Sequence, residues 1–178
     1  QAESPMAISY LSAHAHELSK PHRLASAGTN ITGNTVALLN EAGQPVPTGE
    51  IGEICVRGPL VMAGYFKRPD ETEKVFRGDW LHTGDLARFD EDGYLYLVDR
   101  AKDMVISGGF NVYPTEVENC LATHPAVSNS AVIGIPHARW GEAVVAVVVQ
   151  KPGQARDAQA LEAELIALVH KDKGPVQA

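Results

Sequence analysis

The chain is poor in cysteine and in positive charge, and it has no long apolar run. Only two of its 178 residues are cysteines, Cys55 and Cys120. Their separation makes no metal or redox spacing. So few thiols fit a reducing, cytoplasmic setting. Fifteen lysines and arginines against 22 acids leave a net charge of −7. That balance argues against a nucleic-acid partner, which needs a basic surface. No segment approaches the roughly 18 apolar residues of a membrane span, and no basic-then-apolar leader of the secretory type is present. Internal repeats and low-complexity segments are also missing. What remains is ordinary for a soluble globular protein, 44% apolar and 21% charged, with enough chain for one good core or two small ones. It begins on Gln1 rather than methionine and ends on Gly174-Pro175-Val176-Gln177-Ala178. It reads as a piece of something longer.

Two textures follow one another. The first thirty residues are loop-like. Residues 34–39 and 52–57 predict strands on either side of a turn signal, Asn40-Glu41-Ala42-Gly43. Residues 69–76 predict a short helix opened by Pro69 and acids. Residues 87–89 and 94–98 flank Asp90-Glu91-Asp92-Gly93, a strong hairpin signal. Residues 1–100 therefore read as a mostly β, barrel-like subdomain. Beyond Arg100 the pattern becomes mixed. Thr115-Glu116-Val117-Glu118 has the form of a capping box behind Pro114. Val117 and Leu121 share a helix face that His124-Pro125 closes. The valine-rich runs 131–135 and 144–149 suit buried strands. Residues 158–170 predict a helix with Leu161, Leu165 and Leu168 on one face. The order β, α, β, β, α makes residues 101–178 a small mixed α/β sandwich, and the fold class of the whole is α/β (α+β).

Several short stretches carry possible chemistry. In His82-Thr83-Gly84-Asp85-Leu86 the aspartate, after a glycine at a strand start, can point into a cleft and accept two hydrogen bonds from a vicinal diol. Taken alone, the aspartate is better explained as a turn residue satisfying backbone amides. Ser107-Gly108-Gly109 permits close backbone approach to a ligand, but it is neither Gly-x-Gly-x-x-Gly nor a phosphate loop, and a hairpin turn explains it. The charge cluster Asp99, Arg100, Lys102 and Asp103 can be a solvated turn. His14, His16 and His22 lack a carboxylate or cysteine at a ligand spacing. Trp140-Gly141-Glu142 fits a packed turn or a binding corner.

Taken together and in order, these stretches resemble the adenylate-forming (AMP-binding) superfamily of acyl-CoA synthetases, luciferases and peptide-synthetase adenylation domains. Five segments carry the likeness. Gln1-Ala2-Glu3-Ser4-Pro5 is similar to the end of a Tyr-Gly-x-Thr-Glu motif. Residues 52–59, GEICVRGP, are similar to Gly-Glu-Ile-x-Val-x-Gly-Pro. Gly64-Tyr65 with Pro69-Asp70-Glu71-Thr72 is similar to Gly-Tyr…Pro-Glu-x-Thr. His82 to Leu86 contains Thr-Gly-Asp-Leu. Asp99 to Glu118 is similar to Gly-Arg-x-Lys-Asp…Ser-Gly-Gly-x-Asn-Val-Tyr-Pro-x-Glu-Val-Glu. The form of residues 106–114 resembles the acyl-CoA synthetase branch.

The resemblance implies roles. Glu3 stands where the family coordinates magnesium at the ATP phosphates. Asp85 would hold the ribose hydroxyls of AMP, and Arg100 ribose or phosphate oxygen. Lys102 falls at the hinge between a large and a small domain. Ser107, Gly108 and Gly109 would line the path of the CoA pantetheine arm. Residues 1–100 would end the large N-terminal domain and 101–178 would be the C-terminal domain. ATP, Mg2+ and CoA are the implied co-substrates, with a carboxylic acid, fatty or aromatic, as the group activated. Ala2 stands where the family often has threonine, so that phosphate contact is not carried over. The phosphate loop and the adenylation lysine have no counterpart in these residues, so the chain by itself is expected not to form acyl-adenylate. Two alternatives stay open: an adenylation enzyme loading a carrier-protein phosphopantetheine, and a non-catalytic binding module.

Overall fold

The computed structural model describes residues 2–4, 8–31, 33–153 and 156–174. Gln1 and Pro5 of the first motif, and Pro175 to Ala178 of the C-terminal stretch, lie outside the described residues. The chain divides into two compact units, Gln1–Ala101 and Lys102–Ala178.

The first unit is built on a five-stranded antiparallel sheet. β3 (Thr35–Leu39), β4 (Gly52–Arg57), β6 (Trp80–Phe89) and β5 (Phe76–Arg77) lie in that order, and β7 (Leu95–Arg100) also pairs with β6. The expected barrel-like closure is not formed among the described residues, where the sheet is open. The first thirty residues are less loop-like than expected. They hold a two-stranded ribbon, β1 (Ser9–Tyr10) with β2 (Thr29–Asn30), a 3-10 turn at Ala13–Ala15 and α1 (Pro21–Leu24). Gly28 closes the ribbon at φ +86°, where any Cβ would collide with the Tyr10 carbonyl. Asn40 caps the first hairpin by accepting from the Gln44 amide at 2.9 Å. Asp90 caps the second, accepting from Asp92 and Tyr94 amides at 3.0 and 2.8 Å. α2 (Pro69–Val75) opens with Pro69, Asp70 and Glu71, a start favoured by the missing proline N–H and by the helix dipole. Leu38, Ile54, Val56, Ala87 and Leu95 form the core.

The second unit has a four-stranded antiparallel sheet in the order β10 (Val127–His137), β11 (Gly141–Gln150), β8 (Val105–Ser107), β9 (Phe110–Val112), with α3 (Pro114–Ala122) and α4 (Ala158–Lys173). Val105, Val112, Val117, Leu121, Val132, Leu161, Leu165 and Val169 pack one core. The capping box does not form: α3 starts at Pro114 with Tyr113 as its cap. Glu118 instead accepts the Val132 amide at 2.8 Å, tying α3 to β10. The acid at the head of α4 is its cap, Asp157, which accepts from the Ala160 amide at 3.0 Å.

The valine runs are not buried strands as expected. Val132, with Val144 and Val148 packed against the same core, faces the helices, whereas Ile133, Ile135, Val147 and Val149 stand 41–58% exposed on the opposite face. Both faces are apolar in sequence, so the period-2 signal that separates an inner face from an outer one is hidden. β11 meets β8 only at Gly141 with Ser107. From Ala143 onward it has β10 on one side and no strand on the other among the described residues.

Candidate functional site

β6 carries the irregularity that shapes the candidate site. Against β4, Glu53 pairs with Leu86 and Cys55 pairs with His82. One residue of β4, Ile54, therefore spans three of β6, Thr83, Gly84 and Asp85. These three form a bulge. Gly84 sits there at φ +75°, with open space where a Cβ would be. Its glycine identity answers a backbone conformation, not crowding.

Two hydrogen bonds fix the bulge from either side. The Gly84 amide donates to Glu53 Oε1 at 2.9 Å, and the Gly84 carbonyl accepts from the Ala101 amide at 2.9 Å. Within the bulge, Thr83 Oγ1 accepts the Asp85 amide at 3.1 Å. On the β7 side Asp85 is the register partner of Arg100, so their side chains share a face. Arg100 Nε lies 3.7 Å from Asp85 Oδ1, with the two side chains 64% and 28% exposed. An ion pair this open contributes only about 0–1 kcal/mol to stability. What it offers is chemistry: a carboxylate that can accept from paired hydroxyls beside a planar fork that can donate to anionic oxygen.

Glu53, His82 and Cys55 complete the back of the bulge, and sequence reasoning missed them as a group. His82 Nδ1 lies 2.6 Å from Glu53 Oε2 and 3.4 Å from Cys55 Sγ. The three donor atoms fall within 4.8 Å of one another, the proximity a metal would need. Burial pushes the Cys55 thiol up to about 12, with the Glu53 charge adding to it. The thiol thus keeps its proton at neutral pH. Both Glu53 oxygens are already engaged. The cluster is a hydrogen-bond network. Glu53 and His82 are 29 residues apart, and only the pairing of β4 with β6 brings them together.

Glu3 meets a different partner. Its Oε1 accepts the Tyr65 hydroxyl at 2.7 Å, and its carbonyl accepts the Met62 amide at 2.8 Å. The Tyr65 bond, first among the causes, holds the Glu3 carboxyl below its ordinary value. Tyr65 is placed by its own segment: its amide donates to Thr72 Oγ1 at 2.9 Å, and Gly64, at φ +150°, leaves no room for a Cβ beside Thr72. The Gly-Tyr…Thr spacing is thus a local device that aims the tyrosine at Glu3. Asp85 and Arg100 are the predicted residues that the strands bring together.

Lys102 lies exposed in the turn 101–103. Ser107, Gly108 and Gly109 form the β8–β9 hairpin of the second unit, with Ser107 opposite Phe110. Gly108 and Gly109 have φ +59° and +85°, as a two-residue primed turn requires. The Gly108 amide donates to the Trp140 carbonyl at 2.9 Å, and Trp140, 47% exposed, stacks on His137 at 4.4 Å. Among the described residues, His14, His16 and His22 join no cluster of three metal-ligating groups. A groove of about 460 Å³ runs between α3, α4 and β11, lined by Val144, Ala146, Leu161 and Leu165 among others. None of the predicted site residues lines it.

Residues 1–66 match the profile of the AMP-binding enzyme family and residues 116–178 that of the AMP-binding enzyme C-terminal domain. The chain belongs to the adenylate-forming, AMP-binding enzyme family. A medium/long-chain-fatty-acid–CoA ligase of Mycobacterium tuberculosis is 53% identical over all of this chain and 31% of its own length. A feruloyl-CoA synthase of an Amycolatopsis species is 51% identical over 80% of this chain and 29% of its own length. Among solved structures, the o-succinylbenzoate CoA synthetase of Bacillus subtilis, in complex with its acyl-adenylate intermediate, superposes with TM-score 0.80. It shares 35% identity over 99% of this chain and 34% of that one. The amide bond synthetase of Marinactinospora thermotolerans gives TM-score 0.81 at 38% identity, covering 96% of this chain and 34% of its own. The chain therefore spans about a third of the length of the curated relatives it matches.

Proposed function

We propose that the whole protein is an ATP-dependent acyl-CoA synthetase that activates a fatty or aromatic acid as acyl-AMP and passes the acyl group to CoA. The Asp85–Arg100 pair carries this reading. Its carboxylate would accept the ribose hydroxyls of the nucleotide, and its guanidinium would donate to ribose or phosphate oxygen. Relatives that act on fatty acids and on ferulate support the two acid classes. Glu3, held ionised by Tyr65, has the hard oxygen donor that Mg2+ prefers, and would hold the ion at the ATP phosphates. When bound, the ion would offset charge on the phosphates as pyrophosphate leaves.

The chemistry has two halves. A carboxylate resists attack because its leaving group would be oxide. Joined to AMP as a mixed anhydride, it gains a good leaving group, and the CoA thiol displaces AMP. Residues 1–100 are the end of the large AMP-binding domain in this proposal, and residues 101–178 belong to the C-terminal domain. Lys102 is the hinge by which one domain changes the face it presents between the half-reactions. Ser107, Gly108 and Gly109 border the thiol arm. No described helix is long and apolar enough to cross a membrane, and we place the enzyme in the cytoplasm with its ATP and CoA.

Acid-dependent pyrophosphate exchange by the full-length protein is the test. Activity with a fatty or aromatic acid is expected, falling about tenfold or more in Asp85→Ala through loss of charged hydrogen bonds. An Asp85→Ala protein with unchanged KM for ATP overturns the assignment. The 178-residue chain alone is expected to give no exchange, since it holds neither the phosphate loop nor the adenylation lysine.

A further inference from the structure

We infer that Glu53 is a positioning residue for nucleotide recognition: its carboxylate holds the Thr83–Gly84–Asp85 bulge so that Asp85 meets the ribose. The inference rests on the ribose-binding reading of Asp85 above.

The bulge leaves β6 without regular ladder partners on its β4 side between His82 and Leu86. A side chain supplies what the ladder does not. Glu53 reaches across with one oxygen to the Gly84 amide at 2.9 Å and the other to His82 Nδ1 at 2.6 Å. Hydrogen bonds to an ionised carboxylate are roughly twice as strong as neutral ones. Gly84 is the residue that most needs them. A glycine at φ +75° is free to visit other conformations, and a rotation there redirects the next side chain, that of Asp85. With the Ala101 amide on its carbonyl and Glu53 on its amide, Gly84 is fixed on both sides. His82 is buried, so it gives the carboxylate a fixed second anchor. Both Glu53 oxygens face inward to protein partners, which fits a support and not a ligand for the nucleotide.

The experiment compares ATP with 2′-deoxy-ATP and 3′-deoxy-ATP in pyrophosphate exchange by the full-length protein, as ratios of kcat/KM. The wild type should prefer ATP, and Asp85→Ala should abolish the preference. Glu53→Ala should lower it about tenfold, the scale of a misplaced charged hydrogen bond, while adding nothing in the Asp85→Ala background. Glu53→Gln, which keeps an oxygen for the Gly84 amide, should retain most of the preference. A role in stability alone would slow all three nucleotides equally and leave the ratio unmoved. If Glu53→Ala does not fold, Glu53→Asp, one methylene too short to reach both partners, is read by the same criterion.

A preference that survives Asp85→Ala overturns the ribose reading itself. Loss in Asp85→Ala with retention in the Glu53 variant leaves that reading standing and overturns the role of Glu53. Equal losses in Glu53→Gln and Glu53→Ala also overturn it, because the contact to the Gly84 amide would not be what matters.

Discussion

Single residues in this chain are governed by who their neighbours are, and Cys55 is the clearest case. It is fully buried beside the Glu53 carboxylate, and burial first, then that charge, raises its thiol from 9.0 to about 12. An inaccessible, protonated thiol does not react. Cys120 is buried too, and its thiol is raised chiefly by burial. A thiol reagent at pH 8 should therefore label neither cysteine in the native chain and both after denaturation; labelling of native Cys55 would contradict its placement. Linkage gives a second sign. The folded thiol keeps its proton where the unfolded one has lost it. Its contribution is thus fully present below pH 9 and is lost as pH rises from there toward about 12. Glu3 runs the other way. Its carboxyl is depressed by Tyr65, so that stabilisation is present above its ordinary value of 4.5 and fades as pH falls. Tyr65→Phe should cost about 1 kcal/mol in urea unfolding at pH 7 and less at pH 3; equal losses at both would show that the Glu3 charge is not involved. The motifs named Glu3 and Asp85 individually, since each is a local signature. Glu53 escaped because its meaning lies in a cross-strand register, which no local pattern encodes.

At the scale of elements, turns were readable and pairings were not. Asn40, Asp90 and Gly93 announce their hairpins because turn geometry is satisfied within four residues. The same holds for Gly108-Gly109, whose hairpin reading is met by the β8–β9 register. Nothing lies within 4 Å of a Cβ built on Gly109, and the nearest atom to one on Gly108 is Trp140 Cδ1 at 3.9 Å. Substitution there meets backbone strain alone. Gly109→Ala should destabilise the chain by about 1 kcal/mol, and Gly109→Asn, which tolerates positive φ, by less. Equal melting shifts for the two would point to something other than φ. Capping at α3 departs from the sequence signal for an opposite reason. Thr115 to Glu118 has the right spacing, but Pro114 already suits the first helical position, and Glu118 is drawn to the Val132 amide of β10. A tertiary partner outcompeted the local one.

For the molecule as a whole, the ordered run of motifs makes the family legible from sequence alone. Topology was less legible, because apolar residues on both faces of β10 and β11 hid which side faces the core. That ambiguity has a practical consequence. Residues 144–149 of β11 read Val-Val-Ala-Val-Val-Val, with neither charge nor proline, and one flank of this strand has no partner strand among the described residues. Such a segment is a template for intermolecular cross-β growth. On gentle heating the 178-residue chain should form fibrils that bind thioflavin T. A lysine in place of the exposed Val147 should lengthen the lag severalfold by charging the growing face. If Val147→Lys fibrillises as fast as the parent chain, the nucleus lies elsewhere.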